Sequence, residues 1–481
     1  MRTHSLAASF LLLSSLHAQV AVDWVEAGGL ALALDQDDNV FTINYDSNLG
    51  GDITLTKRDM QGDLIWDAHY DQTNTTRFDR ATWVATDPQG NALVSGTVMS
   101  GFSSPVNANS LLMKFDPDGA LLWRQEYGSD FDGSSTRKCL VDGAGNTYVL
   151  GIGTGPNGQV TTVRKFDPDG ATLWAWYDQG IGGPVTIKFT PDSALVIAHR
   201  SVTGNLNGYT RLDREGNTIW SIGGVASTTV GDLAGDVFGN TYLVHTTSQS
   251  ASTAVLRKVS TTGATVWENS YSITAFRVEV GSDHAPVLCG FPPAGSGGAA
   301  FVKVDADGAL LWNNTNADGP DNFLLHAQMM LDADNNAYLC AGVLFAMGIC
   351  KVDADGTSAW AITAGTGASQ AFALGNDQAV YVTGGSTLRL GQDIVASVTH
   401  QVPTPCALVS AFPQPATHHV QFTWQGHRIS RWRIRSVSGA LMAEGTWSGT
   451  GLEIAHFPPG LLVVELVDGE GLSTAVRVLK D

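Results

Sequence analysis

The sequence predicts an all-β chain: a β-propeller of eight four-stranded blades, with seven as the alternative, followed by a small C-terminal β-sandwich. Three observations lead there. A ten-residue phrase ending in Trp returns seven times, a second phrase centred on Asp and Gly falls between its copies, and the last seventy or so residues carry neither. Composition points the same way: 54 glycines and only 15% charged residues, with Trp, Thr and Val in short runs broken by Gly and Asp, suit short strands and tight turns.

In chain order, residues 1–18 read as a secretion signal: a basic start (Met1, Arg2, His4), an apolar stretch from Leu6 to Leu16, and small Ala18 where a peptidase could cut. The stretch is shorter than the ~20 apolar residues a spanning helix needs, and no other stretch comes near that length. No lipoprotein-type cysteine stands at the presumed cut.

Residues 20–402 are expected to form the propeller. The Trp phrase runs Lys57 to Trp66, Lys114 to Trp123 (KFDPDGALLW), Lys165 to Trp174, Arg211 to Trp220, Lys258 to Trp267, Lys303 to Trp312 and Lys351 to Trp360, with Trp-to-Trp spacings of 57, 51, 46, 47, 45 and 48. Those spacings suit one propeller blade and exceed the period of helical or leucine-rich repeats. Between the copies lie Val84 to Gly96, Leu140 to Gly151 and Leu331 to Gly342, where an apolar strand enters Asp, turns through Gly-Asn or Asn-Asn, and leaves through Tyr, Leu and Val. Both phrases are hairpins, so each unit holds four strands and must stack on its neighbours to bury its faces. The recurring Trp residues are expected in the seams between blades, with their N–H groups on carbonyls.

First hairpins begin near Leu30, Trp83, Arg137, Val185, Val230, Phe276, His326 and Ala371, which makes eight, against seven Trp phrases. The eighth phrase is therefore expected in two pieces. The stretch from Val20 to Gly29, carrying Trp24, would be an outermost strand, and Leu388 to Val398 the strand beside it, closing the ring without a covalent link.

Residues 403–411 form a Pro-marked linker, with Pro403 and Pro405. From 412 to 481, strands at 418–424, 430–437, 440–447, 461–467 and 473–479 read as a small sandwich.

A net charge of −19 argues against nucleic acid and anionic membranes as partners, since both demand clustered Lys and Arg. The five cysteines (Cys139, Cys289, Cys340, Cys350, Cys406) are scattered and form no CxxC; a Cys340–Cys350 bridge is possible on successive strands, though burial as small hydrophobes fits better. The Asp-x-Asp-Gly turns at Asp116, Asp167, Asp305 and Asp353, and the group Asp35, Asp37, Asp38, read as turns, because a calcium loop needs further oxygens and a distal Glu. No HExxH, GxSxG or P-loop occurs, the histidines are dispersed, and His418-His419 reads as a strand start. No catalytic residue, metal ligand or cofactor site is assigned, and the axial funnel is the default binding surface.

The pair KxDxxGxxxW and DxxGNxYxxG, over about Leu30 to Gly385, resembles the bacterial β-propeller repeat of the SBBP type. The Asp-x-x-Gly-x-x-x-Trp part alone is similar to blades of pyrroloquinoline quinone dehydrogenases and of outer-membrane assembly lipoproteins, but no vicinal Cys pair is present. The end of the chain resembles a type IX secretion C-terminal sorting domain. It opens on Phe412-Pro413-Gln414-Pro415, continues through Val437-Ser438-Gly439 and the Pro458-Pro459-Gly460 turn, and finishes with Lys480. Gln414 stands where that family usually has Asn, and the final Asp481 departs from its pattern. These resemblances imply a monomeric bacterial protein exported through the periplasm to the cell surface. It would meet the secretion machinery through its C-terminal domain and a glycan, peptide or envelope component through its propeller. A plain adhesive sandwich is the alternative for the C-terminal region, and a secreted hydrolase or quinone-dependent dehydrogenase for the whole.

Overall fold

In a computed structural model the chain separates into two compact units, residues 20–391 and residues 392–481 with 1–19. The structure describes residues 19–46, 52–70, 78–99, 108–128, 135–155, 158–178, 182–200, 206–227, 231–248, 253–293, 298–317, 325–343, 346–393, 410–412, 417–423, 429–436, 441–449, 451–468 and 473–480.

The larger unit is an eight-bladed propeller. Seven sheets each take four consecutive antiparallel strands, in blades 1 to 7 at 31–70, 78–127, 135–178, 183–226, 232–271, 274–317 and 325–364. Blade 8 takes its first three strands from Ala371–Leu374, Val380–Thr383 and Ser386–Asp393, and its fourth from the N-terminal strand Gln19–Ala27. The first strand of every blade touches the first strand of the next, and that of blade 8 touches that of blade 1. The first strands are thus innermost and the ring is shut. The split eighth phrase exists as the sequence implies, and the alternative of seven blades is set aside.

The two hairpin turns of a blade have one design. In the second turn of blade 2, Asp116 Oδ1 accepts the amides of Asp118 and Ala120, the Gly119 amide donates to the Asp116 carbonyl, and Gly119 takes φ +88°. The first acid of the Asp-x-Asp-Gly phrase is thereby occupied by turn amides, as it is at Asp167 and Asp305, while in the last copy Asp355 Oδ1 accepts the Thr357 amide instead. In the first turn of blade 2 the Asn that follows Gly adds a side-chain bond, from Asn91 Nδ2 to Asp87 Oδ2 at 2.8 Å.

Glycine is obligatory in one of these turns and optional in the other, and packing explains why. In the second turn, a Cβ on Gly119, Gly170 or Gly216 would sit 2.7–2.9 Å from the ring of Trp66, Trp123 or Trp174 in the preceding blade. In the first turn of blade 2, a Cβ on Gly90 would meet nothing nearer than Pro117, at 3.8 Å. First turns accordingly hold Asp38, Ser193, His284, Asn335 and Gln378 at positive φ, where a side chain is strained but fits.

Six of the seven Trp residues that meet a turn glycine also donate to that turn. Trp66 and Trp123 Nε1 donate to the carbonyls of Pro117 and Pro168 at 2.9 and 3.0 Å, and Trp174, Trp267 and Trp312 do the same to Arg214, Ala306 and Ala354. Trp24 closes the circle: its Nε1 donates to Met60 of blade 1 and its ring lies on Gly62. The phrase lysine joins the same carbonyl, with Lys114 Nζ 3.1 Å from Pro168 O and 2.9 Å from Asp87 in its own blade. Burial raises the Asp87 carboxyl, but bonds from Asn91 and Lys114 outweigh it and hold it below the usual carboxylate range. Two tryptophans depart from the pattern. Trp360 faces blade 8, whose third and fourth strands share no turn, and Trp220 meets Gly263 through its Cβ; both are buried with Nε1 unpartnered.

A Cys340–Cys350 bridge does not form. On their paired strands Cys340 stands opposite Ile349 and Cys350 opposite Leu339, so with a side-chain period of two the sulfurs lie on opposite faces. Neither is in a disulfide and both are buried, in separate hydrophobic clusters, with Cys340 Sγ 3.1 Å from Ser369 Oγ.

The smaller unit has one sheet of Ser410–Phe412, His419–Thr423 and Leu452–Glu453, and one of Leu441–Thr446, Ile429–Arg435, Gly460–Asp468 and Ser473–Lys480. Val420, Ile434, Ile454, Val464 and Val478 are among the residues filling its core. The two shortest strands have too few residues for alternation to reveal them. Pro459 precedes the strand that Gly460 opens, and Lys480 is buried at the end of the last strand. Pro413, Pro415 and Gly439, together with residues 1–18 and 403–409, lie outside the described residues.

Two outcomes are expected. Trp123→Ala and Gly170→Ala should each destabilise by about 2–3 kcal/mol in urea unfolding followed by circular dichroism. In the Trp123→Ala background, Gly170→Ala should fall to the ~1 kcal/mol of Gly90→Ala, because the ring that a Cβ would strike is gone. Removal of residues 1–27 leaves blade 8 with three strands, and limited proteolysis should then cut within 371–393, a region resistant in the longer chain.

Candidate functional site: the axial channel

The innermost strands line the channel, and alternation assigns their faces. The residue three places before each first turn belongs to the core: Val84, Cys139, Ile187, Leu233 and Val278 are at most 1% exposed. The residues four and two places before that turn therefore lie on the opposite face of the blade. In blades 8 and 1 these are alanines: Ala371, Ala373, Ala31 and Ala33. In blades 3 to 6 they include Lys138, Lys188, Asp232, Arg277 and Glu279, and in blade 7 Gln328. The charges of blades 3 to 6 form an arc around the axis, with Trp83 of blade 2 beside Lys138, whereas Ala31 and Ala371 are buried in the apolar cores between blades 1 and 2 and between blades 8 and 1.

Lys188 is the hub of the charged arc. Its Nζ lies 3.1 Å from Asp232 Oδ2, 2.7 Å from Glu279 Oε1 and 3.2 Å from the Val278 carbonyl, tying blades 4, 5 and 6 together. Asp232 Oδ2 also accepts the Val278 amide at 3.1 Å. Gln328 repeats that stitch, its Oε1 accepting the Phe372 amide at 3.4 Å and its Nε2 donating to the Gln370 carbonyl at 2.8 Å. Burial alone would lower the Lys188 pKa, but the two carboxylates outweigh it and raise it above the usual lysine value. Burial pushes the Glu279 carboxyl above its usual range, against the pull of Lys188.

Lys138 differs from Lys188. Its Nζ lies 5.1 Å from the Trp83 ring centre, and among the described residues no carboxylate comes within ion-pair distance. Burial first, then repulsion from Lys188 and Arg277 against the pull of Asp232 and Glu279, lowers its pKa to about 8. Some of the Lys138 surface stays accessible while its ammonium sits deep in the protein, and the depth governs its charge. Arg277 turns one guanidinium nitrogen back to its neighbour's carbonyl, Nη1 to Phe276 O at 2.7 Å.

At the hairpin-turn end of the channel, the first turns of blades 8, 1, 2 and 3 surround a depression of about 380 Å³, with Asp35, Asp38, Asp87 and Asp142 in its lining. These acids are occupied. Asp35, Asp87 and Asp142 accept turn amides and Asn side chains, and Asp38 accepts the backbone and side-chain amides of Asn376 across the closing seam. Burial raises the Asp38 carboxyl despite that bond. Among the described residues no group of three His, Cys, Asp or Glu side chains could hold a metal.

The expected blade tryptophans are thus brought into the seams, and the channel residues come from elsewhere in the sequence. The missed signal lay in aligning the first hairpins on their turns and looking for charge two and four places before. Blades 4, 6 and 8 obscure that alignment, because Thr190, Gly281 and Gly375 stand where other turns have Asp.

No family model matches the chain, and no curated protein matches it. Solved structures similar to it include a protein of unknown function from Bacteroides caccae (12% identity, 67% of this chain and 92% of that one, TM-score 0.35). The WD40 domain of SCAP from fission yeast is another (11%, 77% and 97%, 0.46), as is the dihydro-heme d1 dehydrogenase NirN (11%, 71% and 67%, 0.44). The strand order and the closed ring define this chain as a β-propeller; at these scores the likenesses carry nothing about its activity.

Lys188→Met should lower stability by about 3–5 kcal/mol, since it leaves two buried carboxylates unpaired, and adding Glu279→Gln should restore part of it. Stability should also rise between pH 8 and 10.5, where the unfolded chain holds the Lys138 proton that the native state has given up. Lys138→Met should flatten that rise in urea titrations.

Proposed function

We propose that the chain is an exported bacterial surface protein whose propeller is a non-catalytic binding or scaffold module, with its ligand in the axial channel. The observation that carries this reading is the charged arc of blades 3 to 6. The Trp, Lys and Gly of the repeat are used up in fastening blades, so they are unavailable for recognition. The innermost strands are where successive blades differ in charge, and a binding site is built from such differences. The resemblance of residues 1–18 to a secretion signal, and of residues 412–481 to a type IX sorting domain, supports export through the periplasm to the surface. On this reading the partners are the secretion machinery and a glycan, peptide or envelope component, nucleic acid is not one, and the protein is a monomer.

The intact mass of protein recovered from the cell surface should lack the segment after about Val402, whereas a full-length C-terminus there would count against sorting. Ligand capture from envelope fractions should vanish in Thr186→Trp, which fills the channel between Lys138 and Asp232, and persistence would exclude the channel. An enzymatic reading, as a hydrolase, is favoured by one observation: Asp232 and Glu279 converge on Lys188. Turnover of a glycoside or ester that disappears in Glu279→Gln would establish it in place of the binding module.

A further inference from the structure

We infer that the channel takes a small organic carboxylate, its anionic head between Lys138 and Arg277 and its apolar body against Trp83; this rests on the channel being the binding site. Four observations converge on it. The eight innermost strands carry five Lys and Arg against three Asp and Glu, the reverse of the chain's 27 against 46. The two acids at the axis, Asp232 and Glu279, are both engaged by Lys188, and among the described residues no carboxylate forms an ion pair with Lys138 or Arg277.

Lys138 is the unbalanced one. Its ammonium faces the Trp83 ring instead of a carboxylate, and Arg277 lies near enough to repel it. A buried ammonium without a counter-ion is unfavourable, and a bound anion would neutralise it while gaining the strength that charge-assisted hydrogen bonds have away from water. Finally, the Trp83 ring beside Lys138 is only partly buried. An indole face rewards an apolar body and gives no hydrogen bond to a second charged group, so a monocarboxylate fits better than inorganic phosphate.

The test uses the full mature chain and sodium benzoate as probe, by isothermal titration at pH 6.5, with inorganic phosphate run in parallel. One saturable benzoate site is expected, weakened about tenfold or more in Lys138→Gln and in Arg277→Gln and unchanged in Arg214→Gln, which lies on a hairpin turn of blade 4. Because benzoate stays ionised throughout, its affinity should also fall as pH rises past 8 and Lys138 loses its proton; the surrounding charges are Lys188, Asp232, Arg277 and Glu279. Lys138→Arg keeps the charge and should retain binding, which guards against a folding defect being read as lost recognition. Absence of a saturable benzoate site, equal affinity in the Lys138 and Arg277 variants, or preference for phosphate would overturn the inference. None of those results touches the channel reading, which stands or falls on ligand capture by Thr186→Trp.

Discussion

Six of the eight blades are fastened to the next by one recurring contact, in which an outermost-strand Trp covers the turn glycine of the following blade and donates its indole N–H to a carbonyl of that turn. The contact needs three things at once. The turn must tolerate positive φ, it must carry no Cβ, and the carbonyl must stand within reach of the indole, where the phrase lysine shares it. Those demands account for the Lys, Asp, Gly and Trp of the repeat without invoking a ligand. A four-stranded sheet of about 45 residues cannot cover its own faces, so this seam, repeated around the ring, is where the propeller gains its burial.

The seam also explains how the ring ends. Trp24 reaches Met60 and Gly62 in blade 1 as five other indoles reach their neighbours, although its strand comes from the opposite end of the unit. Blade 8 is the exception on its other side: with its third and fourth strands joined by pairing alone, it has no turn to offer, and Trp360 is left with a buried indole nitrogen unpartnered. Non-covalent closure thus leaves one clasp unmade, and the hydrogen-bonded strand pair takes its place.

Charge differs from blade to blade where repetition stops. Residues that meet the next blade's turn must match it and are therefore alike from unit to unit, whereas residues near the axis need match no turn and are free to differ. Lys138, Lys188, Asp232, Arg277 and Glu279 occupy those free positions, while the corresponding places in blades 8 and 1 hold alanine. Lys188 absorbs the two carboxylates and Lys138 is left facing an aromatic ring, so two lysines separated by one blade end with opposite shifts in pKa.

The amino-acid sequence by itself determined the all-β class, the eight units, the split eighth blade and the C-terminal strands. Strand alternation, turn chemistry and the Trp period are local signals, and each is set by residues within a few positions of one another. Tertiary structure alone decided the rest. It separated Cys340 from Cys350 by placing them on opposite faces of paired strands, it left Trp220 and Trp360 without the bonds their fellows make, and it gathered five charges from four blades around one axis. Those charges lie up to 141 residues apart in the chain, from Lys138 to Glu279, and only closure of the ring brings their fields together.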